Sequence, residues 1–414
     1  MKVIYFHQQF TTPNLSGGIR SYEFAKKLIE RGHQVTMVCG GKRNMFNLPE
    51  TNRKGIYRGD VDGIDVIQMD MPYSNNDNKA TRAKVFLKYA WKSIHYALHE
   101  DYDLVFATTT PLTSGIPGLF GKWFRRKKFV FEVRDFWPDS TMTLFKAIGR
   151  KYPWYLRIGL RFLGNRCYRA ADACIGLAPG ICDAIRDHAQ KNKRVVLIPN
   201  GCDLNIMKPG SRTDLHLEGI GEHDLVAIFP GAHGVANGLD AVLDGAKVLQ
   251  QRGRNDIKMV FIGNGMKKQY LMDRAKNEQL NNCLFFPPVP KNELANIVGS
   301  ADVGMQVLEN ASFFYYGTSP NKFFDFISSG LPVLNNYPGW MADMITENNC
   351  GVVVEPLSPE KFADGLIYLA DHPEERKEMG KNARVLAERD FDREKLATQF
   401  VDYIESVYNG TGKA

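Results

Sequence analysis

The stretch Gly317–Val333, GTSPNKFFDFISSGLPV, decides how the rest of the chain is read. Its apolar residues Phe323, Phe324, Phe326 and Ile327 recur at helical spacing, Gly330 ends the helix, and Leu331 to Leu334 reads as a buried strand. Ser319 is the expected N-cap, with Pro320 at the first helical position. Free amides at such a start, together with the positive end of the helix dipole, make an anion site. Lys322 places a cation where the dipole favours an acid, which points to a bound polyanion. Asp325, one turn on, suits the acceptance of hydrogen bonds from a diol. The same spacing also describes an ordinary capped helix with a solvated Lys322 and Asp325, so both readings stand here.

Outward from this stretch the chain alternates strand and helix. On its amino-terminal side Leu225 to Pro230 reads as a strand, Gly231 to Gly238 as a glycine-rich loop and Leu239 to Gln251 as a helix. Strands at 257–263, 284–286 and 303–307 follow, with helices near 267–277 and 291–299; beyond it come a strand at 351–355 and helices near 359–371, 373–389 and 392–408. A similar series opens the chain: strand 2–6, a loop with Gly17-Gly18, a helix to Arg31, and strand 35–39. Such units build parallel nucleotide-binding sheets. The segment from Cys202 to His223 reads as a linker between two halves. Gly263-Asn264-Gly265 does not complete G-x-G-x-x-G, because Lys268 holds the third position, and no P-loop motif is present.

At 414 residues, 44% of them hydrophobic, the chain is long enough for two cores and has no apolar run long enough to span a bilayer. Met1 to Phe6 is too short an apolar run for a signal peptide and reads as the first strand. Seven cysteines without a C-x-x-C pair speak against a disulfide framework and a thiolate zinc site, and for a cytoplasmic location. Asp60-x-Asp62 and Asp101-x-Asp103 look like metal-binding pairs, but a turn and a strand entry explain both.

The net charge of +7 is unevenly spread. Residues 79–170 carry 18 Lys/Arg against 6 Asp/Glu, which leaves 35 against 40 elsewhere. Three pieces hold the excess: the helix Lys79 to His99, the knot Gly121 to Phe129 with Trp123, Arg125, Arg126, Lys127 and Lys128, and Phe145 to Tyr168. Basic residues among aromatic and aliphatic ones suit contact with an anionic membrane. Core helices with solvated basic faces are the plainer alternative, and no nucleic-acid-reading motif is present. Between these pieces, Arg134-Asp135 and Trp137-Pro138 stand at the carboxyl end of a strand, the edge where parallel sheets bind ligands. An Arg–Asp pair bracing the loop fits equally well.

In this order, these landmarks resemble the retaining glycosyltransferases of family four. The matching residues are Gly17-Gly18, Arg31-Gly32-His33, Ile198-Pro199-Asn200-Gly201-x-Asp203, Gly231 to Leu239, Ile262-Gly263-x-Gly265, Ser300 to Val303 and Phe324 to Pro332. Arg134-Asp135…Trp137-Pro138 and Ser319-Pro320-Asn321-Lys322 look more narrowly like bacterial O-antigen and capsule enzymes that transfer N-acetylated amino sugars, such as N-acetylfucosamine.

The resemblance implies an α/β GT-B fold. Two Rossmann-like domains, 1–205 and 206–389, would face each other across a cleft, with 390–414 crossing back to the first. It implies configuration-retaining, metal-independent transfer from a UDP-sugar to a polyprenyl-diphosphate-linked sugar, with no cofactor, at the inner face of the cell membrane. The donor would meet Gly18, His233, Asn237, Gly238, Asn264, the backbone near Val289, Thr318, Ser319, Pro320, Asn321, Lys322 and Asp325. Lys322 would act on the leaving diphosphate, and Arg134 and Asp135 on the acceptor. The pattern departs in three places. Gly317 stands where the family has its first glutamate, His233 and Asn237 stand near a missing Arg and Lys, and Arg134 replaces a frequent histidine. A UDP-sugar epimerase on the same architecture, or a non-catalytic nucleotide-sugar binder, is the alternative.

Overall fold

The computed structural model describes residues 1–15, 18–72, 79–147, 149–190 and 192–411. Gly17 and the last residues of the 390–414 segment lie outside these. The chain divides into two compact units, one made of Met1–Ser140, Tyr152–Pro199 and Leu396–Ala414, the other of Thr141–Lys151 and Asn200–Lys395.

The first unit holds an eight-stranded sheet of β1 (Lys2–Phe6), β2 (Gln34–Gly41), β3 (Ile56–Val61), β4 (Ile64–Asp70), β5 (Leu104–Thr108), β6 (Lys128–Val133), β7 (Ala173–Gly176) and β8 (Arg194–Leu197). Their order is β3-β4-β2-β1-β5-β6-β7-β8, parallel except for the β3–β4 hairpin that turns at Asp62-Gly63. Its helices are α1 (Arg20–Glu30), α2 (Lys79–His99), α3 (Gly115–Arg125), α4 (Asp139–Ala147), which runs past the unit boundary, α5 (Trp154–Ala170) and α6 (Pro179–His188). The second unit is a six-stranded parallel sheet, ordered β11-β10-β9-β12-β13-β14. Its strands are β9 (Leu225–Pro230), β10 (Ile257–Ile262), β11 (Cys283–Phe286), β12 (Val303–Gln306), β13 (Val333–Asn335) and β14 (Gly351–Val353). Its helices are α7 (Asp240–Gln251), α8 (Lys268–Asn277), α9 (Lys291–Gly299), α10 (Ser312–Gly317), α11 (Asn321–Ser328), α12 (Trp340–Glu347), α13 (Pro359–Asp371) and α14 (Pro373–Asp390).

The last helix, α15 (Arg393–Tyr408), completes the core of the first unit. Leu396, Ala397, Phe400, Val401, Ile404 and Val407 share one apolar face, as a 3.6-residue period requires. Phe400 stacks on Phe24 at 4.1 Å and meets Phe106 edge-on at 5.1 Å. Burying one such ring stabilises the fold by roughly 1.5–3 kcal/mol, so this terminal helix belongs to the core. At the solvent side Arg31 pairs with Asp402 at 3.0 Å and Glu405 at 2.8 Å.

Most expected elements appear within a residue or two. Two expectations are corrected. Helix α11 starts at Asn321, so Pro320 is the cap residue, and Ser319 makes no cap hydrogen bond. The strand after Gly330 is β13, Val333–Asn335, because the Leu331 N–H still donates back to Phe326 O at 3.0 Å in α11 before the chain joins the ladder beside β12. The basic piece 145–168, for which the sequence set no helix bounds, falls in α4 and α5, with Pro153 the cap residue of α5. No helix among the described residues is long and apolar enough to cross a membrane.

Candidate active site

In the second unit two glycine-bearing loops lie backbone to backbone beyond the ends of β9 and β10. Gly231 N–H donates to Ile262 O at 2.8 Å, and His233 N–H to Asn264 O at 3.0 Å. A Cβ on Gly263 would sit 1.9 Å from Gly231 O, so only glycine fits there. Gly238, with φ +55°, closes the first loop, and a Cβ there would lie 2.7 Å from Glu309 N. Asn237 is thereby held so that its Nδ2 donates to Ala232 O at 2.7 Å and its Oδ1 is left to accept.

That oxygen accepts a hydrogen bond from Lys322 Nζ at 2.9 Å. The ammonium also lies 3.8 Å over the Phe229 ring. No carboxylate pairs with it among the described residues, and burial pulls its pKa down to about 7. The ring beneath belongs to an aromatic cluster of Phe229, Phe261, Phe285 and His233. His233 is fully buried there with both ring nitrogens unpartnered. Burial, helped by the charges of Lys268 and Lys322, holds its imidazole at about 4 and therefore neutral. The main chain of His233, joined to Asn264 and Lys267, is what shapes the loop. Asp325 is half-buried, and burial raises its carboxyl to about 6 against the opposing pull of Lys291 and Arg393.

The residues before α11 are fixed from outside the helix. Trp340 Nε1–H donates to Thr318 O at 2.7 Å. Thr318 Oγ1 donates to Phe314 O at 2.8 Å. Ser319 Oγ accepts the Asn200 N–H at 3.1 Å, and Ser319 O accepts Asn200 Nδ2 at 2.7 Å. The helix is left without a side-chain cap, so its first amides, with those of Asn321 and Lys322 among them, have no capping side chain. Thr318, Ser319, Pro320, Asn321, Lys322, Asn237 and Gly238 are thus joined in one local structure. Asn264 is tied to it through the loop of His233, whereas Val289 sits half-buried in the loop after β11 with no hydrogen bond to the others.

The first unit carries its own group. A Cβ on Gly18 would lie 3.7 Å from Arg134 Nη2, so the guanidinium packs against the entry to α1. Arg134 N–H donates to Thr109 Oγ1 at 2.7 Å, and exposed Asp135 accepts from Thr110 Oγ1 at 3.1 Å. Arg134 and Asp135 therefore follow β6 without pairing with each other. Beneath them Arg20 and Glu132 form a buried ion pair at 2.9 Å. Arg20 also donates to Pro199 O at 2.5 Å and Ile198 O at 2.7 Å, and Glu132 accepts from Thr108 Oγ1 at 2.5 Å.

Several partners were not read from sequence: Asn200, Trp340, Phe229 and the Arg20–Glu132 pair. Asn200 stood in one of the motifs that carry the resemblance, with no role given to it, and a strand acid such as Glu132 gives no sign of its helix partner. The two D-x-D pairs are structural: Asp62 accepts from Tyr22 Oη at 2.9 Å and Asp103 from Lys2 N–H at 2.7 Å. Among the described residues no group of three or more His, Cys, Asp or Glu could hold a metal ion.

Two family profiles match successive parts of the chain: "Glycosyl transferase 4-like domain" over residues 17–201 and "Glycosyl transferases group 1" over 215–386. A D-inositol 3-phosphate glycosyltransferase of Paenarthrobacter aurescens is 26% identical over 200 residues, 47% of this chain and 48% of that protein. The chain thus spans about half the length of the first such curated relatives. An uncharacterised glycosyltransferase of Methanocaldococcus jannaschii is 20% identical over 324 residues, 77% of this chain and 79% of that one. Among solved structures, sucrose-phosphate synthase from Thermosynechococcus elongatus superposes with a TM-score of 0.76 at 14% identity, covering 99% of this chain and 100% of that one. Anabaena HepE, in complex with UDP and glucose, gives 0.69 at 15%, covering 98% and 100%. At such identities the structural likeness speaks for the fold: GT-B, with two Rossmann-like α/β domains.

Proposed function

We propose, from the premise that this chain belongs to the group 1 glycosyltransferases, that it transfers a sugar from a UDP-linked donor held by its second unit. The supporting observation is the uncapped start of α11, with Lys322 beside it lacking a carboxylate partner among the described residues. A diphosphate supplies both missing partners, charge for the ammonium and acceptors for the amides. Asp325 accepts the ribose hydroxyls of the donor. In the reaction the bond from the anomeric carbon to the diphosphate oxygen breaks, and its electron pair stays on the phosphate. The acceptor hydroxyl attacks from the same face and passes its proton to the departing phosphate, so configuration is retained. Lys322 and the α11 amides stabilise the negative charge that grows on that oxygen. Arg134 and Asp135 orient the acceptor.

The donor sugar is proposed to be an N-acetylated amino sugar, N-acetylfucosamine being the leading candidate, and the acceptor a polyprenyl-diphosphate-linked sugar of surface polysaccharide synthesis. Such an acceptor lies at a membrane, which agrees with the exposed aromatic face of α5 and the surrounding Lys and Arg residues. A panel of UDP-sugars, incubated with the protein and a membrane extract, should show UDP release from one of them. Absence of release from every UDP-sugar would sink the reading, and release that needs no acceptor would favour epimerisation.

A further inference from the structure

We infer that Asn200 is a positioning residue for the donor diphosphate, a conclusion that rests on the donor reading above. The cap residue of α11 is Pro320, whose ring offers no acceptor to the first amides, and a start without a side-chain cap keeps those amides available to an anion. The hydroxyl of Ser319, one residue earlier, is held by the Asn200 N–H. The side-chain amide of Asn200 meanwhile holds the Ser319 carbonyl, and Trp340 holds the Thr318 carbonyl. Both carbonyl oxygens ahead of the helix are therefore fixed on partners outside it. A carbonyl turned toward an incoming phosphate would repel it, and these two contacts prevent that. Because the C=O and N–H of a trans peptide point in opposite directions, the hold on Thr318 O also fixes where the Ser319 N–H points.

Asn200 can exert this hold because its own strap is immobilised. It is a buried residue. Two residues on, Cys202 N–H donates to Phe391 O at 2.7 Å, Cys202 O accepts from Arg393 N–H at 3.2 Å, and Cys202 Sγ lies 3.4 Å from Phe324 O inside α11. Asp203 then takes Lys291 and Arg393, each at 2.9 Å. The strap grips α11 at its entry and at its middle. Lys322 adds a second, independent pointer to an anion: its ammonium meets the neutral Asn237 Oδ1 at 2.9 Å and, among the described residues, no carboxylate.

The test compares UDP with uridine, because only UDP carries the group that Asn200 serves. Asn200→Ala should weaken UDP binding about tenfold while uridine binding, followed by ligand-observed NMR, stays as in the parent. Asn200→Asp should weaken it further, since a carboxylate cannot donate to the Ser319 carbonyl. Trp340→Phe, which keeps the ring and loses the N–H, should give a smaller loss of the same kind. Equal losses for UDP and uridine, or unchanged UDP affinity in folded Asn200→Ala and Trp340→Phe proteins, would overturn the assignment. A parent protein that binds uridine and UDP equally, or neither, overturns the donor reading itself, so the two failures are told apart.

Discussion

Arg20 in the first unit and Lys322 in the second are both recessed cations near the carboxyl ends of a parallel sheet, yet they are surrounded in opposite ways. Arg20 has Glu132 and two carbonyls, and Glu132 in turn has Thr108. Each of the three guanidinium nitrogens donates inside the protein. Lys322 has one amide oxygen and the face of a ring. A charge that burial has already matched is part of the fold. Lys322 has no matching carboxylate among the described residues, and burial lowers its pKa to about 7.

The sharpest way to break this contrast is to remove one member of the matched pair. Glu132→Ala leaves the Arg20 guanidinium buried without its carboxylate, and such a loss costs about 3–5 kcal/mol. Calorimetry should show melting lowered by about 10 °C, at roughly 2–4 °C per kcal/mol for a domain of this size, with UDP affinity retained in the folded protein. Unchanged melting would mean the pair is not the structural element described here.

Lys322→Ala is the counterpart. Turnover should fall by about 10²–10³, as when one preorganised donor to a developing oxyanion is lost, while melting is unchanged or raised. Near-normal UDP release by that variant would remove Lys322 from the mechanism.

The pH dependence sharpens the same point. Lys322 has a folded pKa of about 7, below the 10.5 of an unperturbed lysine. Between those values the unfolded chain holds the proton more tightly than the folded one, so this group makes stability rise with pH. The destabilising effect is fully present below pH 7 and is relieved as pH approaches 10. Lys322→Met should therefore be more stable than its parent at pH 6, with the difference closing at high pH. Asp325, raised from 3.8 to about 6, acts in the opposite sense: its contribution to stability is lost as pH rises from about 4 to 6, a slope that Asp325→Asn should remove. Diphosphate binding should also weaken above pH 7, as Lys322 loses the proton that the anion needs. A flat UDP affinity from pH 6 to 9 would contradict the unmatched state of Lys322.

How much of this was legible in the sequence follows from how far apart the partners lie. The alternating strands and helices are local patterns, and Phe400 on the apolar face of α15 announces a core helix within a few turns of chain. Lys322 could be singled out because its oddity, a cation at a helix start, is also local. Ser319 was misjudged as a cap because its competitor, Asn200, is 119 positions away. Glu132 and Arg20 are 112 apart, and neither residue type alone predicts the other. Gly263 was read as part of a failed dinucleotide motif, whereas its requirement comes from Gly231 O on the neighbouring loop. Local rules give the elements and their charged ends; the choice among hydrogen-bond partners is made by packing.

The same distinction between matched and unmatched groups applies to the basic aromatic surface, where the effects expected are smallest. The knot at 121–129 holds part of its charge inside the protein: Arg125 donates to Leu98 O and, with Lys127, lies over the Tyr102 ring, while Lys128 is within 3.9 Å of Asp172. Trp123 remains half-exposed at 51%. On α5, by contrast, Trp154 is 68% and Phe162 61% exposed, with Tyr155, Leu156 and Ile158 exposed beside Arg157. If the proposed membrane contact is made, apolar insertion belongs to α5 and the knot contributes mainly field. Flotation with anionic vesicles should then fall more for Trp154→Ser with Phe162→Ser than for neutralising Arg125, Arg126, Lys127 and Lys128, each exposed charge being worth about 1 kcal/mol at such a surface. Raising salt should weaken the parent and the α5 variant, because the basic residues remain in both, and should weaken the neutralised knot variant less. The reverse ranking would place the contact on the knot and leave the aromatic face of α5 without a role at the bilayer.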